Sequence, residues 1–128
     1  MLFGNKFKGG AAVPHYKNTA SCKTLKMNVP EKVLIPMLQH IGAPCEPVVS
    51  KGDYVKVGQI IGSSDKLVSS PVHSSVSGIV SDISSRVYPG GINVVTVEIN
   101  TDGKQEIHES VVPPKYSNKR EFLDLIRQ

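Results

Sequence analysis

The sequence is poor in the residues that usually build redox or metal centres. Trp is absent, and cysteine occurs only twice among 128 residues. Cys22 and Cys45 stand far apart and form no CxxC pair, so their spacing does not provide a zinc or iron–sulfur motif. We therefore predict no metal site and expect both cysteines to be plain thiols.

Long apolar runs are also lacking. No stretch approaches the roughly 18 apolar residues that a membrane-spanning helix needs, and no charged segment followed by an apolar one opens the chain. We therefore predict no direct membrane span and a cytoplasmic location, which still allows the chain to dock on a membrane complex.

The positive charge does not carry the pattern of a nucleic-acid-binding surface. The formal charge is +4, but the basic excess lies near the two ends, and no aromatic residues are interleaved with it as a single-strand binding platform would require. We therefore predict no nucleic-acid partner. An acidic protein or an anionic membrane surface fits the charge better.

The composition favours one small, mainly β domain. Aromatic residues make up only 5%, so the core must consist of Val, Ile and Leu, residues that favour strands. Eleven Gly and nine Pro are typical of a chain with many turns between short elements.

Alternation of apolar and polar residues predicts several strands separated by turns at Gly52-Asp53 and at Pro89-Gly90-Gly91. The predicted strands lie at residues 25–29, 54–62, 78–83 and 94–99. Their short lengths and close spacing indicate a sandwich or barrel. The side chains expected to share one core between two sheets are Val55, Ile60, Val80, Val95 and Val97.

We divide the chain into three parts. Residues 1–24 lack periodicity and are interpreted as an extended N-terminal arm, and residues 25–109 as the folded domain. Residues 110–128 are interpreted as a linker and the start of a helix, with Ser117 or Asn118 as the cap. That helix has no closing Gly or Pro, so we expect it to lead into a further domain.

The middle of the chain resembles the biotinyl and lipoyl carrier fold, a barrel-sandwich hybrid. Residues 49–61 have the pattern Val-x-x-Gly-Asp-x-Val-x-x-Gly-Gln-x-Ile, and Ser70-Pro71 and residues 77–80 follow. Carrier domains modify a Lys at a hairpin tip, and Lys66 follows an Asp as the lipoylated Lys does. Its distance from the Gly-Gln turn and its Ser neighbours differ from that family, so we interpret Lys66 as an ordinary surface residue. A lipoyl-like carrier modified at Lys66 stays an alternative.

A narrower resemblance covers most of the chain. Residues 39–48, Gln-His-Ile-Gly-Ala-Pro-Cys-Glu-Pro-Val, and residues 70–78, Ser-Pro-Val-His-Ser-Ser-Val-Ser-Gly, look like the N-terminal domain of the C subunit of Rnf-type ion-translocating ferredoxin:NAD oxidoreductases. Lys8-Gly9-Gly10 adds to the match. One departure lies in residues 9–15, where that family more often has a His soon after the glycine pair.

The resemblance implies a non-catalytic structural and interaction domain of an electron-transport subunit. In that family the domain precedes a nucleotide-binding region for FMN and NADH, and then a region with two 4Fe–4S clusters. The implied partners are that downstream nucleotide-binding domain and other subunits of the complex, and the implied location is the inner face of the cell membrane. The alternative within the same fold is a related electron-transfer protein of an amino-acid reductase system.

The residues themselves supply no catalytic or cofactor-binding site. The four His share no ligand spacing, and no nucleophile–base pair can be argued from the sequence. The Gly residues are better explained as turn residues than as a phosphate cradle, because Gly9-Gly10 lacks the flanking strand and helix.

Two short segments nevertheless stand out as candidate docking loops on one side of the barrel. Each contains small residues, a Pro and one His, a composition that lets backbone approach a partner closely. The competing hypothesis is that both only shape turns. The candidate residues are Gln39, His40, Gly42, Pro44, Pro71, His73 and Ser77.

Overall fold

The computed structural model describes residues 14–126, in which two antiparallel sheets face each other across a core. The strands are β1 (Lys32–Pro36), β2 (Glu46–Pro47), β3 (Tyr54–Val55), β4 (Ile60–Ser63), β5 (Val72–His73), β6 (Gly78–Val87) and β7 (Asn93–Thr101), and one helix, α1, spans Lys119–Ile126. One sheet has the order β1-β7-β6-β3 and the other β2-β4-β5. This confirms the mainly β, barrel-sandwich prediction with a short C-terminal helix.

The β6–β7 hairpin is the longest pairing in the fold. Its register runs from Gly78 opposite Thr101 to Val87 opposite Asn93, with a shift between Val80 and Asp82. Gly90 and Gly91 both have positive φ at the predicted turn, a conformation that glycine adopts without a steric penalty. The turn chemistry written in the sequence therefore sets where the hairpin reverses.

The core lies between the two sheets and is aliphatic. It contains Ile35, Met37, Cys45, Val55, Ile61, Val72, Val76, Val80, Val97 and Ile99. Three of the five predicted core residues, Val55, Val80 and Val97, are among them. Both sheets contribute, so burial of this cluster is what holds them face to face.

Ile60 and Val95 were predicted to enter the core, and this was wrong. They are 42% and 41% exposed. A turn at residues 56–59, closed by the bond from Gln59 N to Lys56 O, separates β3 from β4, and Ile61 enters the core instead. Val95 shares a face with Val97, but the hairpin continues past the opposite sheet, and Val87 near its tip is also exposed.

The strand predicted at residues 25–29 is absent, although its alternation is clear. The chain is extended there without strand pairing, and Leu25 and Met27 are 90% and 79% exposed. The first strand is β1 instead. A strand requires a neighbour to hydrogen-bond with, and sequence periodicity does not reveal whether one is available.

The predicted helix forms, and Asn118 is its cap. The Glu121 N–H donates to Asn118 Oδ1 at 3.0 Å, and the Glu121 carboxylate accepts from Ser117 N at 2.7 Å. This reciprocal arrangement is a capping box. The Tyr116 and Phe122 rings, with centroids 4.9 Å apart, fix the chain entering the helix.

The outer face of the large sheet is joined by one acidic side chain. Glu98 on β7 contacts Lys32 Nζ at 2.7 Å and Arg86 Nη2 at 2.8 Å, which links β7 to both of its neighbours. The Lys32 ammonium, followed by the Ser81 hydroxyl, lowers the pKa of Glu98. The pairing reinforces the strand order but adds no reactive group.

Replacing Val97 by Ala tests the position of the core. Val97 is fully buried between β1 and β6, so losing two methyl groups should lower the free energy of unfolding by about 1–3 kcal/mol. Val95→Ala on the same face is the matched control and should change it by less than about 1 kcal/mol. Urea midpoints at constant m-value report both. Equal losses for the two variants would contradict this core.

Candidate docking loops and the polar clasp beside them

The first candidate loop, residues 39–44 (loop 1), is closed at its base by backbone hydrogen bonds. Met37 N donates to Val95 O, and Cys45 N donates to Met37 O, both at 2.8 Å. Gln39 at its start is exposed, and its Nε2 donates to Pro36 O at 3.2 Å. Loop 1 therefore leaves the end of β1 and returns to it over a few residues.

His40 joins loop 1 to the segment before Pro71. Gly42 N–H donates to its Nδ1 at 3.0 Å, and its Nε2 lies 3.3 Å from Ser70 O and 3.1 Å from Ser70 N. A neutral imidazole has one acceptor and one N–H donor, so the tautomer with Nδ1 accepting and Nε2–H donating to Ser70 O satisfies both nitrogens. The ring thus acts as a cross-brace between two loops.

Gly42 permits a close approach between the same two segments. A Cβ at this position would collide with the Val68 carbonyl oxygen. The neighbouring Ala43 N donates to Val68 O at 2.8 Å, and Ser69 Oγ donates to Ala43 O at 3.2 Å. Loop 1 and residues 67–70 therefore form one hydrogen-bonded unit.

This unit carries aliphatic side chains at its surface. Ile41 and Leu67 are fully exposed, Val68 is largely exposed, and Pro44 at the end of loop 1 is exposed as well. We call Ile41, Leu67 and Val68 the apolar tip. Their backbone is fixed by the hydrogen bonds described above, while their side chains contact mainly solvent.

The second candidate loop, residues 71–77 (loop 2), contains β5 and differs in character. His73 is exposed, and Pro71 is half-buried. Ser74 exchanges backbone hydrogen bonds with Gln59 and Gly58, at 2.9 and 2.8 Å. Loop 2 therefore lies along the small sheet as a structured segment.

Ser77, the last candidate residue, is fully buried at the other end of loop 2. Its Oγ donates to Asp102 Oδ1 at 2.6 Å and accepts from Glu106 N at 3.0 Å. The Tyr54 hydroxyl donates to Asp102 Oδ2 at 2.7 Å and lies 3.1 Å from Glu106 Oε2. We call these four residues the polar clasp, because they tie β3, loop 2 and the segment after β7 together.

The hydrogen bonds of the polar clasp change the acidity of its members. The Ser77 hydroxyl, followed by the Tyr54 hydroxyl, lowers the pKa of Asp102 to about 2. The Asp102 carboxylate in turn raises the pKa of Tyr54 to about 12. Lys56, 2.8 Å from Glu106, lowers the pKa of that carboxyl group. These shifts keep both carboxylates charged at neutral pH, as a structural clasp requires and a proton-transferring group does not.

The structure thus brings some predicted site residues together and leaves others apart. His40 and Gly42 meet residues 68–70, which lead directly into Pro71, whereas Ser77 belongs to the polar clasp. Sequence reasoning missed Tyr54 and Asp102. The Asp102-Gly103 turn signal after a strong strand was visible, but nothing in the sequence pairs it with Tyr54.

The residues present do not fit an iron–sulfur cluster. The chain has two cysteines, whereas such clusters take four thiolate ligands. Cys22 is exposed, and Cys45 is buried with its Sγ 3.2 Å from Ser70 O. Across residues 14–126, no three His, Cys, Asp or Glu side chains gather as metal ligands.

Lys66, the alternative carrier site, lies on the β4–β5 loop. Its ammonium is 3.7 Å from Asp65, and the side chain is exposed, as expected of an ordinary surface residue. The described part of the chain contains no helix long and apolar enough to cross a bilayer.

Comparison with known proteins identifies the family of this two-sheet domain. The family model described as the RnfC barrel sandwich hybrid domain matches residues 5–104. The chain belongs to this family. The RnfC-family assignment agrees with the observed sheets and does not favour the carrier alternative at Lys66.

Relatives of this RnfC-family chain are all named as the C subunit of an ion-translocating oxidoreductase complex. That of the Na(+)-translocating ferredoxin:NAD(+) oxidoreductase of Acetobacterium woodii is 44% identical over 84% of the chain and 24% of its own length. That of the proton-translocating enzyme of Clostridium ljungdahlii is 40% identical over 95% and 28%. That of the ion-translocating oxidoreductase of Rhodobacter capsulatus is 33% identical over 77% and 20%. The chain therefore spans about a quarter of the length of the first two relatives.

Replacing Ser77 by Ala tests the polar clasp of this RnfC-family domain. The low pKa of Asp102 means that its stabilising contribution is fully present above the unfolded-state pKa of about 3.9 and is lost as the pH falls toward about 2. In Ser77→Ala the carboxyl group should titrate closer to its ordinary range, and the acid-unfolding midpoint should move to higher pH. Carboxyl NMR titration measures the first effect. Ser75→Ala, at an exposed position, is the control, and an unchanged Asp102 titration in Ser77→Ala would contradict the clasp.

Replacing His40 by Ala tests the cross-brace. Loss of its hydrogen bonds should destabilise the chain by about 1–2 kcal/mol and speed amide exchange at Gly42 and Ser70. His73→Ala, at an exposed ring, should change stability by less than about 0.5 kcal/mol. If His40→Ala leaves both exchange rates unchanged, the ring does not brace the loops.

Proposed function

We propose that this chain is the N-terminal, non-catalytic interaction domain of the C subunit of an ion-translocating ferredoxin:NAD oxidoreductase complex. The match of an RnfC-family domain to residues 5–104 and the names of its relatives support this proposal. The proposed boundaries are an arm at residues 1–24, the sandwich at 25–109, and a linker with the start of a helix at 110–128.

In this proposal the redox chemistry belongs to the rest of the subunit. Its FMN, NADH and two 4Fe–4S clusters are assigned to regions beyond the sandwich, because two separated cysteines cannot supply a cluster's ligands. The chain's own role is to hold the adjoining nucleotide-binding domain against other subunits at the inner face of the membrane.

The observation that carries the docking role is the apolar tip. Ile41 and Leu67 are fully exposed although the backbone beneath them is fixed by the His40 ring and by the bond from Ala43 N to Val68 O. A rigid backbone that presents aliphatic side chains to water is what an interface requires, because little conformational entropy is lost on binding. Isolated exposed apolar residues are ordinary, but a braced group of three is less so.

His73 and Pro71 extend the proposed surface along loop 2. Pro71 follows directly after Ser70, which contacts the His40 ring. The surface we propose therefore runs from the apolar tip across Ser70 to the exposed His73. The buried Ser77 supports the far end of loop 2 through the polar clasp and is not available to a partner.

Matched Ile-to-Thr substitutions test the docking role. Ile41→Thr in the full-length subunit should weaken its association with the remaining subunits about five- to thirty-fold, because an apolar anchor is lost, and NADH-linked electron transfer should fall with assembly. Ile79→Thr, on an exposed position of β6 outside both loops, is the control and should assemble normally. Co-purification from detergent-solubilised membranes measures assembly.

The isolated chain separates docking from folding. Ile41→Thr should leave its urea midpoint unchanged, since Ile41 is fully exposed. Adding His73→Ala should deepen the assembly defect without changing the midpoint. If the double variant assembles like the wild type, or if the isolated chain loses stability, the loops shape turns and are not a docking surface.

A further inference from the structure

Residues 23–29 have the pattern of a strand without a sheet. Leu25 and Met27 are almost completely exposed, and Val29 is 41% exposed. Polar Thr24, Lys26 and Asn28 alternate with them, so one face of the extended segment is apolar and the other polar. We call this segment the arm strand.

The backbone of the arm strand is unpaired within residues 14–126, whereas both of its flanks are fixed. Ala20 N and Cys22 N donate to carbonyl groups three residues earlier, at 3.0 Å. On the other side, Thr101 Oγ1 donates to Pro30 O at 2.5 Å and Thr101 N to Glu31 O at 2.9 Å. An anchored, extended segment with free backbone groups is prepared to pair with another strand.

The charges around the arm strand restrict its partner. Lys17, Lys23 and Lys26 lie in residues 14–30, and that stretch contains no Asp or Glu. A second copy of the chain, with a formal charge of +4, would be repelled. A surface that carries carboxylates would attract the arm and orient it.

A lipid surface does not satisfy the arm strand. An extended backbone inserted into hydrocarbon leaves its N–H and C=O groups without partners, and for this reason open strands do not occur there. A protein sheet edge supplies those partners, and shallow pockets along it receive alternate side chains. The combination of free backbone, alternation and lysines therefore favours a protein.

We propose that residues 23–29 add as an edge strand to the sheet of an acidic partner protein within the complex. The partner edge would be flanked by Asp or Glu side chains and would carry pockets about 7 Å apart for Leu25, Met27 and Val29. The inference rests on the proposed function, because it takes the partner from the same complex. It adds a contact separate from the loops around Ile41 and His73.

Hydrogen–deuterium exchange tests this on the full-length subunit, alone and in the purified complex. The amides of residues 23–29 should exchange at least tenfold more slowly in the complex, as strand pairing would require. Leu25→Ser with Met27→Ser should abolish that protection. Thr24→Ser with Asn28→Ser changes the polar face by the same number of substitutions and should keep it. Unprotected amides in the wild-type complex, or equal effects of the two variants, would overturn the proposal.

A photo-crosslinking residue at position 27 identifies what the arm strand contacts. Adducts on a strand edge that carries carboxylates, in another subunit or in the remainder of the same polypeptide, support the proposal. Adducts on lipid, or on a second copy of the domain, overturn it. Binding of the isolated chain to 3:1 phosphatidylcholine–phosphatidylglycerol vesicles that is lost with Lys23→Gln and Lys26→Gln, together with unprotected amides in the complex, would assign the arm to the membrane instead.

The two proposals fail in different ways. A sandwich that makes no contact with the complex overturns the proposed function and the arm contact together. A sandwich that requires Ile41 for assembly while its arm amides stay unprotected overturns the arm contact alone.

Discussion

Strand β7 is the element on which the rest of the fold depends. It pairs with β1 on one side and β6 on the other, so the large sheet exists only because both of its edges are occupied. Its inner face places Val97 and Ile99 in the core, and its outer face places Glu98 between Lys32 and Arg86. The pairing also determines the ends of the molecule. Beside Val95 the chain turns into loop 1, and beyond Thr101 it continues into the polar clasp.

Stability and contact surface are separated in this domain. The buried aliphatic cluster and the clasp of Ser77 and Asp102 hold the sheets together, and both are closed to a partner or fully hydrogen-bonded. The exposed aliphatic residues lie elsewhere, on the braced loop around Ile41 and on the arm strand. A rigid sandwich that supports loops is a common way to build a binding domain, because contact residues can differ without disturbing the core. The same division explains how a fold shared with cofactor carriers can serve in electron transport without a group of its own.

The two candidate contact surfaces differ physically. Loop 1 is braced by the His40 ring and presents side chains that need only a complementary pocket. The arm strand also lacks partners for its backbone, so it requires a partner with a free strand edge. Binding through loop 1 therefore selects for shape, and binding through residues 23–29 selects for backbone pairing and charge. Together they would orient the sandwich in two directions relative to the complex.

The sequence by itself determined the class of fold, the family resemblance and the turn positions, because these depend on local chemistry. Gly90 and Gly91 adopt the positive φ values of the predicted turn, and Asn118 caps the predicted helix through Glu121. Only the tertiary structure decided which alternating segments became strands and which side chains were covered. The pattern at 25–29 is as regular as that of a true strand, yet no neighbour lies beside it. Val95 has the same face as Val97 but extends beyond the opposite sheet. The link from Tyr54 to Asp102 joins residues 48 positions apart, and such contacts depend on how the chain returns on itself rather than on local periodicity.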